Sequence, residues 1–291
     1  RAEVHRAMDH LQDQIRDLFV SYTDPDVARE AARVLCKELH PYVVRSALAE
    51  RAIRRPHGIT GTAEILANVL VDTPGGDGQL GEVLDRWFLD RPTLAAHRAV
   101  QQPLVDTTVA DLPTDGTRRV LLLTAGTGSL VAALNLRLSQ APSVLTVVDH
   151  SRDALAFLDA GITFRPRNVE LQTVQENLAE LARGRTRHRF APQDVVIVPG
   201  LVEYMPDRIA LSAIAMARSM VRPGGRVVVS GLTPSDDQYL MDRLLDWPTI
   251  RRSPEGLRRI VVGAGLEVVD AASVEEPAVL LSARRVPGDG R

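Results

Sequence analysis

Lysine is almost missing from this chain: of its 35 Lys and Arg residues only Lys37 is a lysine, and Cys36 is the sole cysteine. One cysteine excludes an intrachain disulfide and a cysteine-based metal cluster, and it fits a reducing cytoplasm. Cys36 falls on an apolar helical face, which reads as core rather than nucleophile. An excess of either charge is missing too, the formal net charge being −2. There is no basic footprint for nucleic acid. No apolar run approaches the about 20 residues of a membrane span, and the first residues show no secretory pattern. The expected partner is therefore a small molecule in the cytoplasm, with no nucleic acid and no membrane, and with a homodimer or hetero-oligomer left open. No metal is expected: of the seven histidines only His5 and His10 come close in sequence, and five residues of helix turn them about 140° apart.

What is present is a 291-residue chain with 45% hydrophobic residues, enough for one large core or for a core with a smaller unit attached. The first third reads as helices. Val4, Met8, Leu11, Ile15 and Leu18 recur at helical spacing. Asp24-Pro25 supplies an N-cap and a proline at the first helical position for a second helix, which His40-Pro41 is expected to end. A third helix runs to about Arg55, where the segment Arg54 to Gly61 interrupts. A fourth covers Ala63 to Val71, a fifth carries Leu80, Leu84, Trp87 and Phe88, and Pro92 opens a sixth that includes Leu94, Leu104, Val105 and Val109. Asp115-Gly116 is the expected seam, dividing a helical domain (1–113) from a second domain (114–291).

Beyond the seam, strands alternate with helices, the pattern of a parallel sheet covered on both faces. Val120 to Leu123 reads as a strand buried on both sides. Thr124 to Ser129 then turns the chain into the apolar-periodic helix Leu130 to Leu138. Gly126 and Gly128 let a ligand approach the main chain near unpaired helix-start N–H groups. Two glycines serve packing as readily, so a second element is required. It comes at the end of the next strand, Val144 to Val148, where Asp149 stands as an acidic residue placed to accept a nucleotide's ribose hydroxyls. Ser151 caps the following helix. Val169 to Val174 and Asp194 to Val198 are further strands, Arg222-Pro-Gly-Gly225 leads into a fifth over Arg226 to Ser230, and Leu266 to Val269 with Ala278 to Leu281 read as a closing antiparallel pair.

The glycine turn, Asp149, Asn177 after the third strand and Arg222-Pro-Gly-Gly before the fifth together resemble class I S-adenosylmethionine (SAM) dependent methyltransferases across Arg118 to about Leu281. A narrower likeness covers nearly the whole chain. His40-Pro41-Tyr42, Arg55-Pro56-His57-Gly58-Ile59-Thr60-Gly61, Gly76-Asp77-Gly78-Gln79-Leu80-Gly81, Gly200-Leu201-Val202-Glu203-Tyr204 and Leu245-Asp246-Trp247 resemble the bacterial family that includes the methyltransferases making 3-hydroxypalmitic acid methyl ester, an extracellular signal. Ile59 stands where that family has tyrosine, and Thr62 where it has aspartate.

The resemblance implies an α/β fold, a seven-stranded Rossmann-like sheet with its last strand antiparallel, behind an N-terminal all-helical lid or substrate domain. It implies SAM as cofactor and S-adenosylhomocysteine as product. Thr124, Ala125, Gly126 and Gly128 would wrap the methionine and ribose, Asp149 the ribose diol, His150 and Ser151 the adenine edge, Glu176, Asn177 and Leu178 the adenine amine and face, and Pro199, Gly200 and Leu201 the methyl group. Tyr204, Glu203 and His57 are the catalytic candidates; Arg54, Arg55 and Tyr204 are those for an acidic or natural-product acceptor. Two departures stand out: Leu122 replaces an acidic residue and Thr124 a glycine. They motivate an alternative, a non-catalytic SAM-fold subunit. A further alternative is alkyl transfer or cyclisation using the methionine side chain, which leaves methylthioadenosine. A nicotinamide oxidoreductase ranks last, because Val131 stands where its third glycine is expected.

Overall fold

The computed structural model describes residues 1–55, 61–110, 112–183, 185–186 and 188–286. They form two compact units. One comprises Arg1–Arg98 together with Pro234–Thr249; the other comprises Ala99–Thr233 and the chain from Ile250 onward.

The second unit is built on a seven-stranded sheet. Its strands are β1 (Arg118–Leu123), β2 (Ser143–Asp149), β3 (Val169–Gln175), β4 (Gln193–Val198), β5 (Val221–Leu232), β6 (Glu267–Ser273) and β7 (Ala278–Arg284), in the order β3-β2-β1-β4-β5-β7-β6. β1 to β5 pair in parallel and β7 runs antiparallel to both β5 and β6. β2 and β4 are buried along their whole length, as strands covered on both faces must be. On one face Leu121, Leu123, Val196, Val198, Val227 and Val229 pack with Ala210, Ile214 and Ala217 of α11 (Asp207–Met220) and Leu257, Ile260 and Val261 of α12 (Pro254–Gly263). The Arg222-Pro-Gly-Gly segment lies inside β5 instead of preceding it, where the register against β4 shifts. Gly225 permits this, since a Cβ there would stand 2.8 Å from the carbonyl oxygen of Asp194.

The first unit contains α1 (Ala2–Ser21), α2 (Pro25–Val43), α3 (Ala47–Arg54), α4 (Ala63–Val71), α5 (Gly78–Leu89) and all but the last residue of α6 (Pro92–Ala99). Asp24 caps α2 through the N–H of Asp26 and Thr62 caps α4 through that of Ile65. Pro41 does not end α2, which continues to Val43; a proline disturbs the turn before it, through its missing N–H and its ring, but leaves the N–H groups after it free to bond, and here the last turn closes through Val44 N–H to His40 O at 3.0 Å.

Two boundaries differ from the sequence expectation. The single sixth helix is two helices, α6 and α7 (Gln101–Ala110), and α7 belongs with the sheet, packing on α8 (Ser129–Leu138) and on β5. Its buried Leu104, Val105 and Thr108 decide this, so the division falls after Arg98 rather than at Asp115-Gly116. Residues 234–249, expected with the sheet, join the helical unit instead. There Leu240, Met241, Leu244, Leu245 and Trp247 share a core with Phe19, Leu48, Trp87 and Phe88, and the buried Asp237 carboxylate accepts the N–H and hydroxyl of Thr93 at 2.8 and 2.9 Å. Among the described residues no helix is long and apolar enough to cross a membrane.

The Gly76 to Gly81 motif has a structural explanation within the helical unit. A Cβ at Gly76 or at Gly81 would come within 2.4 Å of Arg45 O. Nearby the buried carboxylate of Asp85 accepts from Ser46 Oγ, Leu48 N and Gly75 N at 2.5, 2.8 and 2.9 Å. This joint ties the start of α3 to α5.

Candidate functional site

The site candidates of the sheet unit gather at the carboxyl ends of β1, β2, β3 and β4. After β1 the chain turns through three residues of positive φ: Thr124 at 95°, Gly126 at 51° and Gly128 at 79°. The two glycines serve different ends. A Cβ on Gly128 would lie 3.0 Å from the Leu158 side chain of α9 (Arg152–Gly161), so that position answers to packing. A Cβ on Gly126 would meet nothing within 4 Å, so that face of the turn is open to a ligand. Thr124 N–H is tied to Val148 O at 2.7 Å. Leu122, in the place of the acidic residue, is fully buried within β1.

Asp149 ends β2 with 5% of its surface exposed. Its Oδ2 accepts the N–H of Ala125 at 2.7 Å, and its Oδ1 that of Ser151 at 2.8 Å, with His150 Nδ1 at 3.3 Å from the same oxygen. One carboxylate thus joins the glycine turn to the start of α9, which Ser151 caps through Ala154 N at 3.1 Å. A carboxylate has about four acceptor sites. Two go to backbone N–H groups, and each oxygen keeps a lone pair for an incoming hydroxyl.

After β3, Glu176 donates its N–H to Asp149 O at 3.0 Å, while its carboxylate takes the Thr186 hydroxyl at 2.7 Å. Asn177 Oδ1 caps α10 (Leu178–Ala182) through Ala179 N and Glu180 N, which leaves its amide N–H groups for a ligand. Leu178 packs against the core.

After β4 come Pro199, Gly200 and Leu201, then a single 3-10 turn, Val202–Tyr204. Gly200 has φ 55° and donates to Ser230 Oγ at 3.0 Å. A Cβ on it would approach Glu203 Oε1 at 3.4 Å. Glu203 is 2% exposed. Burial pushes its carboxyl up to about 8, against the pull of Arg251 and Arg252, so at neutral pH it is an uncharged acid. Tyr204 stands at the surface, 40% exposed. Arg252, 8% exposed, donates to Val202 O at 2.7 Å, to Met205 O and to Asp207 Oδ1 at 2.9 Å. It organises this turn, and no local pattern in the sequence marks it or Ser230.

Arg54 and Arg55 belong to the helical unit. Arg54 pairs with Glu50 at 3.0 Å, and Arg55 pairs with the carboxylate of Asp246, both residues having positive φ. The Arg55 and Leu245-Asp246-Trp247 motifs thus meet in an ion pair. His57 lies outside the described residues.

No family model and no curated protein matches this sequence. The fold has solved counterparts: a sheet of this order with its single reversed strand is the Rossmann-like fold of class I methyltransferases. Three solved structures are similar. A possible exported protein from Bordetella parapertussis shares 18% identity, with 91% of this chain and 100% of that chain covered, at a TM-score of 0.61. Magnesium protoporphyrin IX methyltransferase from Synechocystis PCC 6803, with bound S-adenosylhomocysteine, shares 17%, covering 72% and 90%, at 0.51. The N-methyltransferase NodS from Bradyrhizobium japonicum WM9, in complex with S-adenosylhomocysteine, shares 18%, covering 77% and 98%, at 0.50.

Proposed function

We propose that this chain is a SAM-dependent methyltransferase acting on a small-molecule acceptor. The observation that carries the proposal is Asp149, a buried carboxylate stretched between an open glycine turn and a helix start, with a lone pair left on each oxygen for a ribose diol. The open face at Gly126 and the amide of Asn177 fit the rest of a nucleoside. The two solved methyltransferases of this fold are described above with S-adenosylhomocysteine bound.

SAM supplies a methyl group already activated on a sulfonium, so the protein has to bind, orient and exclude water. Thr124 to Gly128, Asp149, His150, Ser151, Glu176, Asn177 and Leu178 would hold the donor, and Pro199, Gly200 and Leu201 would line its reactive end. Glu203 beside Gly200 suits an acidic acceptor: uncharged at neutral pH, it does not repel a carboxylate and can donate a hydrogen bond, whereas it offers no counter-charge to an ammonium. A carboxylate nucleophile arrives deprotonated and asks for no base. Tyr204, on the same turn, is the candidate to orient it. Arg54 and Arg55 remain the candidate cations for an anionic acceptor, which would have to compete with their ion pairs to Glu50 and Asp246.

Calorimetric titration with SAM and S-adenosylhomocysteine tests the donor; micromolar binding is expected, and its absence would favour a non-catalytic subunit. Turnover with candidate acids, followed by identification of the sulfur product, tests the transfer. S-adenosylhomocysteine is expected, and methylthioadenosine would move the reaction to the amino-acid side chain of the donor.

A further inference from the structure

The sheet ends in two edge strands, and the chain treats them differently. An edge presents a row of unpaired N–H and C=O groups, which proteins guard with charge, proline or a bulge. β6 is guarded: Glu267 and Asp270 stand exposed on it, and its register against β7 shifts between Val268 and Asp270. β3 is not. Its seven residues, Val169-Glu170-Leu171-Gln172-Thr173-Val174-Gln175, hold one charge and no proline, and they pair with β2 without a shift. Asn168 O accepts from Ser143 N–H at 2.9 Å and Glu176 N–H donates to Asp149 O at 3.0 Å. The even-numbered residues therefore face β2, and the backbone groups of Leu171, Thr173 and Gln175 point outward. Among the described residues nothing bonds to them.

The sequence of β3 suits a second copy of itself. Laid antiparallel about a two-fold axis at Gln172, Leu171 of each strand faces Thr173 of the other in hydrogen-bonded pairs, and Glu170 faces Val174, so no like charges meet. That register pairs all seven residues, and any shift pairs fewer. The same patch serves both copies, so the contact closes at two. Beside this edge Asn135 Nδ2 donates to Phe164 O at 2.6 Å, which joins to α8 the loop leading into β3. Leu136 and Phe164 are each more than half exposed there, apolar surface that a second copy can cover. We infer that β3 is a self-association edge, through which two copies of this chain join their sheets into one. The inference does not depend on the identity of the donor.

One strand pair with a modest apolar flank is smaller than a standard interface, so a Kd of about 1–100 μM is expected. Sedimentation velocity of the full chain across that range should show monomer giving way to dimer; monomer throughout would overturn the inference. Thr173→Pro removes an outward N–H where an edge strand tolerates proline. It should melt close to the parent and weaken the dimer about tenfold or more, each copy losing a bond; a dimer of unchanged strength would place the contact elsewhere. Gln172→Cys probes the same contact without touching the backbone. The axis sets the two introduced thiols opposite each other in a non-hydrogen-bonded pair, with Cα atoms about 4.5 Å apart and within reach of a disulfide. Mild oxidation should link the copies through position 172, identified by mass spectrometry, and should link neither the parent, which has only Cys36, nor Glu170→Cys, whose thiol faces Val174. No link at 172, or equal linking from 170, would overturn the inference.

Discussion

The backbone N–H of Ala125 and the Oδ2 of Asp149 lie 2.7 Å apart across the carboxyl ends of two neighbouring parallel strands. Asp149 is therefore a structural clasp as well as a ligand candidate, and its replacement should register in two independent measurements. In Asp149→Asn the amide nitrogen faces either the Ala125 or the Ser151 N–H. We expect a stability loss of about 1–3 kcal/mol, read by thermal melting, and a loss of S-adenosylhomocysteine binding of about a hundredfold or more, from two hydroxyl bonds at about tenfold each. A variant that loses stability but binds as the parent does would confine Asp149 to its structural role.

Glu203 makes stability depend on pH in an unusual direction for a carboxylate. Its pKa rises on folding, from an ordinary 4.5 to about 8, so between those values the native state holds a proton that the unfolded chain releases. Its contribution is fully present below about pH 4.5, falls as pH rises through that window and is gone above about 8. Glu203→Gln carries no titrating group. Its melting temperature should cross that of the parent, similar or lower near pH 5 and higher above pH 8. Parallel pH profiles for the two proteins would rule out a buried neutral acid.

Arg252 reaches two carbonyl oxygens of the turn after β4 and the Asp207 carboxylate at the start of α11. Arg252→Met keeps the length and removes every donor, so about 2–4 kcal/mol of destabilisation is expected, mainly from the two carbonyls left without the buried guanidinium, since Asp207 is exposed to water and its ion pair is screened. Hydrogen exchange should quicken locally at Ile250, whose N–H is bonded to Glu203 O at 2.7 Å. Arg252→Lys should recover only part of this, a single ammonium being unable to span the same acceptors.

In the helical unit, Asp85→Ala would leave the Ser46 hydroxyl and the N–H groups of Leu48 and Gly75 buried without their acceptor. A loss of about 3–5 kcal/mol is expected. Gly76→Ala should be comparably damaging, since its Cβ would meet the backbone at Arg45 and Gly81, atoms with no freedom to withdraw. Chemical denaturation of both variants checks this. A mild effect in either would mean the motif is kept for something other than architecture.

What could be read in the chain itself was whatever neighbours within a few residues control. Asp24-Pro25, Ser151 and the apolar runs at Val120 to Leu123 and Val144 to Val148 became a cap, a cap and two strands because the hydrogen bonds and side-chain periodicity involved are local. Asp149 was legible for the same reason, its place at the end of a strand after a glycine turn being a matter of short spacing. Other features depended on residues brought from far away. Residues 234–249 left the sheet unit because their apolar side chains found a core among helices more than a hundred positions earlier. The Gly76 to Gly81 motif acquired its reason only beside Arg45 O and Asp85. Glu203 reads in sequence as an ordinary acid near a helix start; its surroundings, not its neighbours in the chain, withdraw its charge, since desolvation is a property of the enclosing fold. Thr124 looked like a simple departure from glycine, and only the tertiary hydrogen bonds on either side of it hold a branched residue where glycine belongs.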